Sequence, residues 1–177
     1  MAGIFPACCN AAKDGSKPVK TQRTAERKTK TEGGFMKKIV LNWSPSGYAW
    51  SRKGMVEVLK RKGFDISSLE FHEPGPYGVG TVLSTHEAFV SRGYKGDAGD
   101  YCWKIVAGGT KYGARSLNRD DQDAISVLEE FGSEFCSGKY AELYVSSYDD
   151  MDGLLDWSID NCDGIENLVL RESHPSY

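Results

Sequence analysis

Met36-Lys37-Lys38-Ile39-Val40-Leu41-Asn42-Trp43-Ser44-Pro45-Ser46-Gly47-Tyr48-Ala49-Trp50-Ser51 is the stretch from which the fold is read. Lys38 to Asn42 is a short apolar run, rich in β-branched side chains and bounded by turn formers, and it predicts a buried strand. Pro45 and Gly47 stand at turn positions in the loop that follows. Ser51 is a good N-cap for a helix from Arg52 to about Lys62. Met55, Val58 and Leu59 share one face of that helix, and Lys53, Lys60 and Arg61 lie outside it. Gly63 sits where a left-handed C-cap belongs, after two cations that complement the helix dipole.

Moving toward the C-terminus, Phe64 to Gly113 is broken by Pro74, Pro76 and nine glycines, and it reads as loops with small elements. Within it, pattern supports a short helix near Thr85 to Arg92 and a strand at Tyr101 to Ala107. A second principal helix starts at or soon after Asn118, with Asp120, Asp121 and Asp123 where negative charge meets the positive helix end. Ala124, Leu128, Phe131 and Phe135 recur at helical spacing, with Ile125 widening the stripe. Ala141, Leu143 and Val145 alternate with polar neighbours as in a half-buried strand. A further strand is expected at Leu168 to Leu170, after the turn Asn161-Cys162-Asp163-Gly164. The expectation is an α/β fold, with α+β left open: a small mixed sheet and two principal helices.

Toward the N-terminus the character changes. Met1 to Phe35 carries seven basic residues against three acidic ones, net +4, which leaves −7 of the chain's total −3 for Met36 to Tyr177. A stretch this polar has too little to bury to offset the ordering entropy of its backbone. Residues 1–35 are therefore expected to be a basic disordered tail or an over-long gene start, and 36–177 a single domain. The acidic balance of that domain argues against nucleic acid, which demands clustered Lys and Arg. No charged, apolar and cleavage regions follow one another at the start, and no stretch has the roughly 18 uncharged apolar residues that span a bilayer. The expected location is the cytoplasm, away from membranes. Five cysteines at 8, 9, 102, 136 and 162 show no paired spacing and fit reduced thiols.

The residues resemble a family of small proteins of bacteriophages and prophages to which no activity is assigned. Two pieces carry the resemblance: Lys38 to Asn42 with the turn Gly47-Tyr48-Ala49-Trp50-Ser51, and a longer C-terminal set. The latter comprises Arg119-Asp120-Asp121, Leu128-Glu129-Glu130-Phe131-Gly132, Ser137-Gly138-Lys139-Tyr140-Ala141-Glu142-Leu143, Trp157-Ser158-Ile159 and Asp163-Gly164-Ile165-Glu166. Together they span roughly half the chain, the middle being unmatched. The family's first loop commonly carries a Cys and a Gly-Gly pair, where this chain has Ser44 and Ser46-Gly47, so a thiol nucleophile is missing from that place. The resemblance implies a bacteriophage origin, a host-cell cytoplasmic setting and a shape, and no reaction.

Candidate chemistry centres on the strand–loop–helix. Free N–H groups at a helix start can bind an anion, and Ser44, Ser46, Gly47, Tyr48 and Ser51 supply a turn and hydroxyl partners. The bland alternative is a well-capped first helix, since the Gly-x-x-x-x-Gly-Lys-Ser/Thr spacing of a phosphate loop is missing. Tyr77-Gly78-Val79-Gly80 and Gly108 to Gly113 also lack a complete phosphate-binding spacing and read as surface turns; in the second, Lys111 is the one side chain suited to a phosphate. Eight acidic residues from Glu142 to Glu166, with no Lys or Arg among them, read as a solvated face, because Gly153 is misplaced for a calcium loop and no Glu closes it. His72, His86 and His174 have no partners at metal-ligand spacing, so no metal and no cofactor is expected. Loop aromatics such as Trp43, Tyr48 and Trp50 either anchor a partner or fill a core thinned by glycine. Three function classes follow. The first is a non-enzymatic domain binding a small anionic ligand or a host protein. The second is a small enzyme acting on a nucleotide or phosphorylated substrate through Ser44, Tyr48, Lys111 and His72 or His86. The third is a virion or structural component. The catalytic residues and the oligomeric state are left open by the sequence.

Overall fold

The computed structural model describes residues 35–75, 80–91, 102–150 and 153–172. Tail residues 1–34, Tyr77-Gly78-Val79, Arg92, Tyr94, Tyr101, Asp152 and His174 lie outside them. Gly33–Tyr177 forms one compact unit and is described by itself.

The opening run forms strand β1, Phe35–Asn42, which pairs antiparallel with β6, Leu143–Asp150. Successive β1 side chains point to opposite faces, and both faces of this ribbon are covered, which is why the sequence reads as a continuous apolar run. Val40 enters the main core with Met55, Val58 and Leu59 of α1 (Arg52–Arg61) and Ile125 and Leu128 of α3 (Gln122–Phe131). Ile39 and Leu41 turn the other way, onto Tyr148 and onto Leu155, Trp157, Ile159 and Leu168. The last four belong to a hairpin of β7, Leu155–Cys162, and β8, Ile165–Glu172. Its two-residue turn, Asp163-Gly164, has φ of 51° and 89°, as a type I′ connection requires.

The middle segment builds a second, four-stranded antiparallel sheet in the order β3-β2-β4-β5. Its strands are β2 (Glu70–Pro74), β3 (Thr81–Ser84), β4 (Lys104–Ala107) and β5 (Thr110–Gly113). Gly108-Gly109 is the tight turn of the β4–β5 hairpin, both residues at positive φ. Phe89 of α2 (His86–Ser91) joins this sheet to the core, tilted against Phe71 at 4.9 Å and edge-on to Trp103 at 5.6 Å. A one-turn helix, α4 (Ser133–Cys136), follows α3.

The α/β class and the two principal helices are as the sequence predicts, and Ser51 caps α1 as expected, accepting from the Gly54 N–H. Asp121 caps α3. Antiparallel pairing throughout is the α+β form of that class. Strands β2, β3, β5 and β7 were not expected, and β1 and β8 are longer than the runs that announced them. No described helix is long and apolar enough to cross a membrane.

Candidate functional site

The loop between β1 and α1 is fastened at its start by Asn42, which is fully buried. Its side-chain amide donates to the carbonyls of Ser44 at 2.6 Å and Gly164 at 2.8 Å, and its Oδ1 accepts the Glu142 N–H at 2.9 Å. The Asn42 backbone N–H donates to Glu166 Oε2 at 2.9 Å. Arg119 then closes on the same carboxylate with two parallel bonds of 2.6 Å each, the fork geometry a guanidinium is built for. Two further bonds tie Arg119 to β1: its carbonyl accepts the Val40 N–H at 2.7 Å, and its guanidinium donates to the Val40 carbonyl at 3.3 Å.

The guanidinium also lies over the Tyr48 ring, 3.2 Å from its centroid. The Tyr48 hydroxyl accepts from Trp50 Nε1 at 2.6 Å inside the core. Burial pushes the Tyr48 phenol up to about 12, against the opposing pull of the Trp50 hydrogen bond and the Arg119 charge. Tyr48 is thus a neutral structural acceptor at physiological pH. Glycine is required at 164, because a Cβ there would lie 2.0 Å from the Pro45 carbonyl oxygen and φ is +89°.

The loop hydroxyls are engaged with backbone. Ser44 Oγ donates to the Tyr140 carbonyl, and Ser51 Oγ, besides capping α1, donates to the Phe135 carbonyl at 2.6 Å. The Ser51 N–H bonds to the Cys136 carbonyl at 2.7 Å, and a Cβ on Gly54 would stand 2.9 Å from the Cys136 Cα, so the start of α1 is packed against the α4 segment. Ser46 is exposed. Gly47, at φ +84°, closes a turn back to the Ser44 carbonyl at 3.2 Å. The cation that reaches it is Arg115, whose Nη2 lies 3.9 Å from where a Cβ on Gly47 would stand. An open cavity of about 590 Å³ is lined there by Gly113, Ala114, Arg115 and Ser116.

The five loop residues expected in one site share one loop, whereas Lys111 is exposed on β5, paired in register with Val106. His72 faces Glu70 at 3.4 Å on β2, and the His86 ring rests on Phe71 at 5.5 Å. Burial, with Glu57 adding to it, pushes the Cys136 thiol up to about 12, which removes it as a nucleophile near neutral pH.

Of the loop's aromatic side chains Tyr48 and Trp50 fill the core, and Trp43 forms an exposed surface together with Tyr140 of the segment before β6. Trp43 and Tyr140 are 47% and 37% exposed, and Pro45 beside them is exposed too. Trp43 is held edge-on to Tyr144, 6.3 Å between ring centroids at 80°, and its backbone N–H bonds to the Glu142 carbonyl at 2.8 Å. The Tyr144 hydroxyl donates to the Glu166 carbonyl at 3.2 Å, fixing that ring in turn. Lys139 Nζ lies 4.7 Å from the Tyr140 ring centroid. In the sequence Trp43 reads as one aromatic among many, Asn42 as the end of a strand and Glu166 as part of an acidic solvated face, and Arg119 figures only in the pieces carrying the family resemblance. The signal for the three polar residues was that those pieces, distant in sequence, each contribute one member of a single network.

Compared with known proteins, the chain matches no family model, no curated protein and no solved structure.

Proposed function

We propose that this chain is a non-catalytic accessory domain of bacteriophage type that binds a host protein in the host-cell cytoplasm through the face formed by Trp43, Pro45 and Tyr140. The observation that carries the reading is the division of labour in the loop. Its hydroxyls at Ser44 and Ser51 are engaged with backbone and its Tyr48 and Trp50 side chains are buried in the core, while Trp43 stands in solvent on a fixed frame, with Tyr140 of the segment before β6 exposed nearby. Rigid, exposed Trp and Tyr side chains bury much area in a complex with few rotamers to lose, the character of binding hot spots. Capture of host proteins on immobilised chain tests this, with Trp43→Ala and Tyr140→Ala as the paired controls. A partner retained by the wild type and lost by the folded variants is the expected result.

A second reading, a small anionic ligand, is favoured by Arg115 beside Gly47 and the cavity at Gly113–Ser116. A thermal-shift screen with phosphate and nucleotides separates the two: stabilisation abolished by Arg115→Ala and untouched by Trp43→Ala would select the anion.

A further inference from the structure

Every strand in the β1–β6 ribbon is an edge, and the two outer edges differ. Along β1 the outward backbone groups are satisfied at the end next to the loop: Val40 is bonded by Arg119 through both its N–H and its carbonyl, and the Asn42 N–H goes to Glu166. Because Val40 points its backbone groups outward, its register partner Val145 does so as well, and so do Leu143, Ser147 and Asp149 along β6. The Leu143 N–H is taken by Ser137 Oγ at 2.9 Å. The outward groups of Val145, Ser147 and Asp149 have no hydrogen-bond partner among the described residues. This leaves an open strand edge, which natural folds ordinarily cover, shorten or charge. The outer strands of the second sheet, β3 and β5, are four residues each, whereas β6 has eight.

We infer that this edge pairs with the same edge of a second copy of the chain, β6 against β6 about a two-fold axis at Ser147. The edge is self-complementary in that register. Antiparallel pairing centred on Ser147 sets Ser147 against Ser147 and Val145 against Asp149 of the other copy, so every outward N–H and carbonyl of the three residues meets an outward group of its mate. Two serines meet at the axis, small enough for close approach and able to bond across it. Asp149 faces Val145 and Asp150 faces Tyr144, so no like charges stand directly opposite; each Asp149 is offset by four residues, roughly 14 Å at the usual strand rise, from its counterpart, beyond the screening length in physiological salt. Pairing converts two two-stranded ribbons into one sheet of four strands in the order β1-β6-β6-β1. An isologous contact of this kind closes as a dimer and does not propagate.

Sedimentation equilibrium of the full chain is expected to give twice the 19.5 kDa chain mass. Ser147→Pro removes the outward donor at the axis, a donor that takes no part in the β1 ladder, and is expected to yield a folded monomer. Ser147→Lys sets two ammonium groups against each other and is expected to dissociate the dimer in low salt and restore part of it in high salt. Should either variant lose its circular dichroism signature, hydrogen exchange of the wild-type Val145, Ser147 and Asp149 amides decides: protection that increases with protein concentration supports the pairing. A monomeric wild type at 100 μM (an order-of-magnitude choice for a weak dimer), a dimer indifferent to both folded variants, or freely exchanging amides at those three positions would overturn it.

Discussion

Replacing Arg119 by alanine strands a buried carboxylate. Glu166 has a side chain only 3% exposed, and the variant removes both 2.6 Å guanidinium bonds while leaving the charge in place with the Asn42 N–H as its remaining described donor. Breaking a buried ion pair from one side costs about 3–5 kcal/mol, and the lost stacking on Tyr48 adds about 0.5–1 kcal/mol. For a domain of this size that corresponds to a fall in melting temperature on the order of 10 °C. The pair itself need not be worth so much. Arg119→Met combined with Glu166→Gln strands no charge and keeps an acceptor for the Asn42 N–H, so it is expected to be more stable than Arg119→Ala alone. Urea denaturation followed by circular dichroism measures both. An Arg119→Ala variant within about 1 kcal/mol of wild type, or a double variant no better than the single one, would refute the assignment of this pair as the fastener of the loop.

Gly164→Ala should destabilise by at least about 2 kcal/mol, since it adds a Cβ against the Pro45 carbonyl and strains a positive φ, and thermal melts would show it. Tyr48→Phe leaves Trp50 Nε1 buried without its acceptor and is expected to cost about 1–3 kcal/mol; in the wild type, ultraviolet titration should find one phenol that ionises only near pH 12. The Lys37 hydrogen bond holds the Asp150 carboxyl below its ordinary value. A lowered folded-state value means that its stabilisation is present above the unfolded value of 3.8 and is lost as pH falls through the folded one, so the melting-temperature gap between wild type and Asp150→Asn should be full near neutral pH and shrink below about pH 4.

The two ends of the domain were legible because they announce themselves locally. Ile39-Val40-Leu41 is apolar on both faces, Ser51 caps its helix, Asp120, Asp121 and Asp123 mark the start of the next, and Asn161 to Gly164 reads as a turn ahead of a strand, although β7 on its other side was not legible. The middle was obscure because its strands are four or five residues long and break the alternation: β2 buries Glu73 and exposes Glu70, while Val82 and Leu83 of β3 are apolar and exposed. Such strands are fixed by pairing with β4 and by Phe71, Phe89 and Trp103 meeting in space, which no window of sequence contains. The stretch from Ser44 to Ser51 was legible as the loop between strand and helix, yet its hydroxyls looked equally fit for a ligand or for the backbone. Their partners, the carbonyls of Tyr140 and Phe135, lie more than eighty residues away.

The account rests on the exposed aromatic face, and the most direct measurement is capture of host protein by the immobilised full chain and by its Trp43→Ala/Tyr140→Ala variant at matched melting temperature. The prediction is a partner held by the wild type and lost by the variant. Equal retention of every partner by the two proteins, or no partner on either, would contradict it.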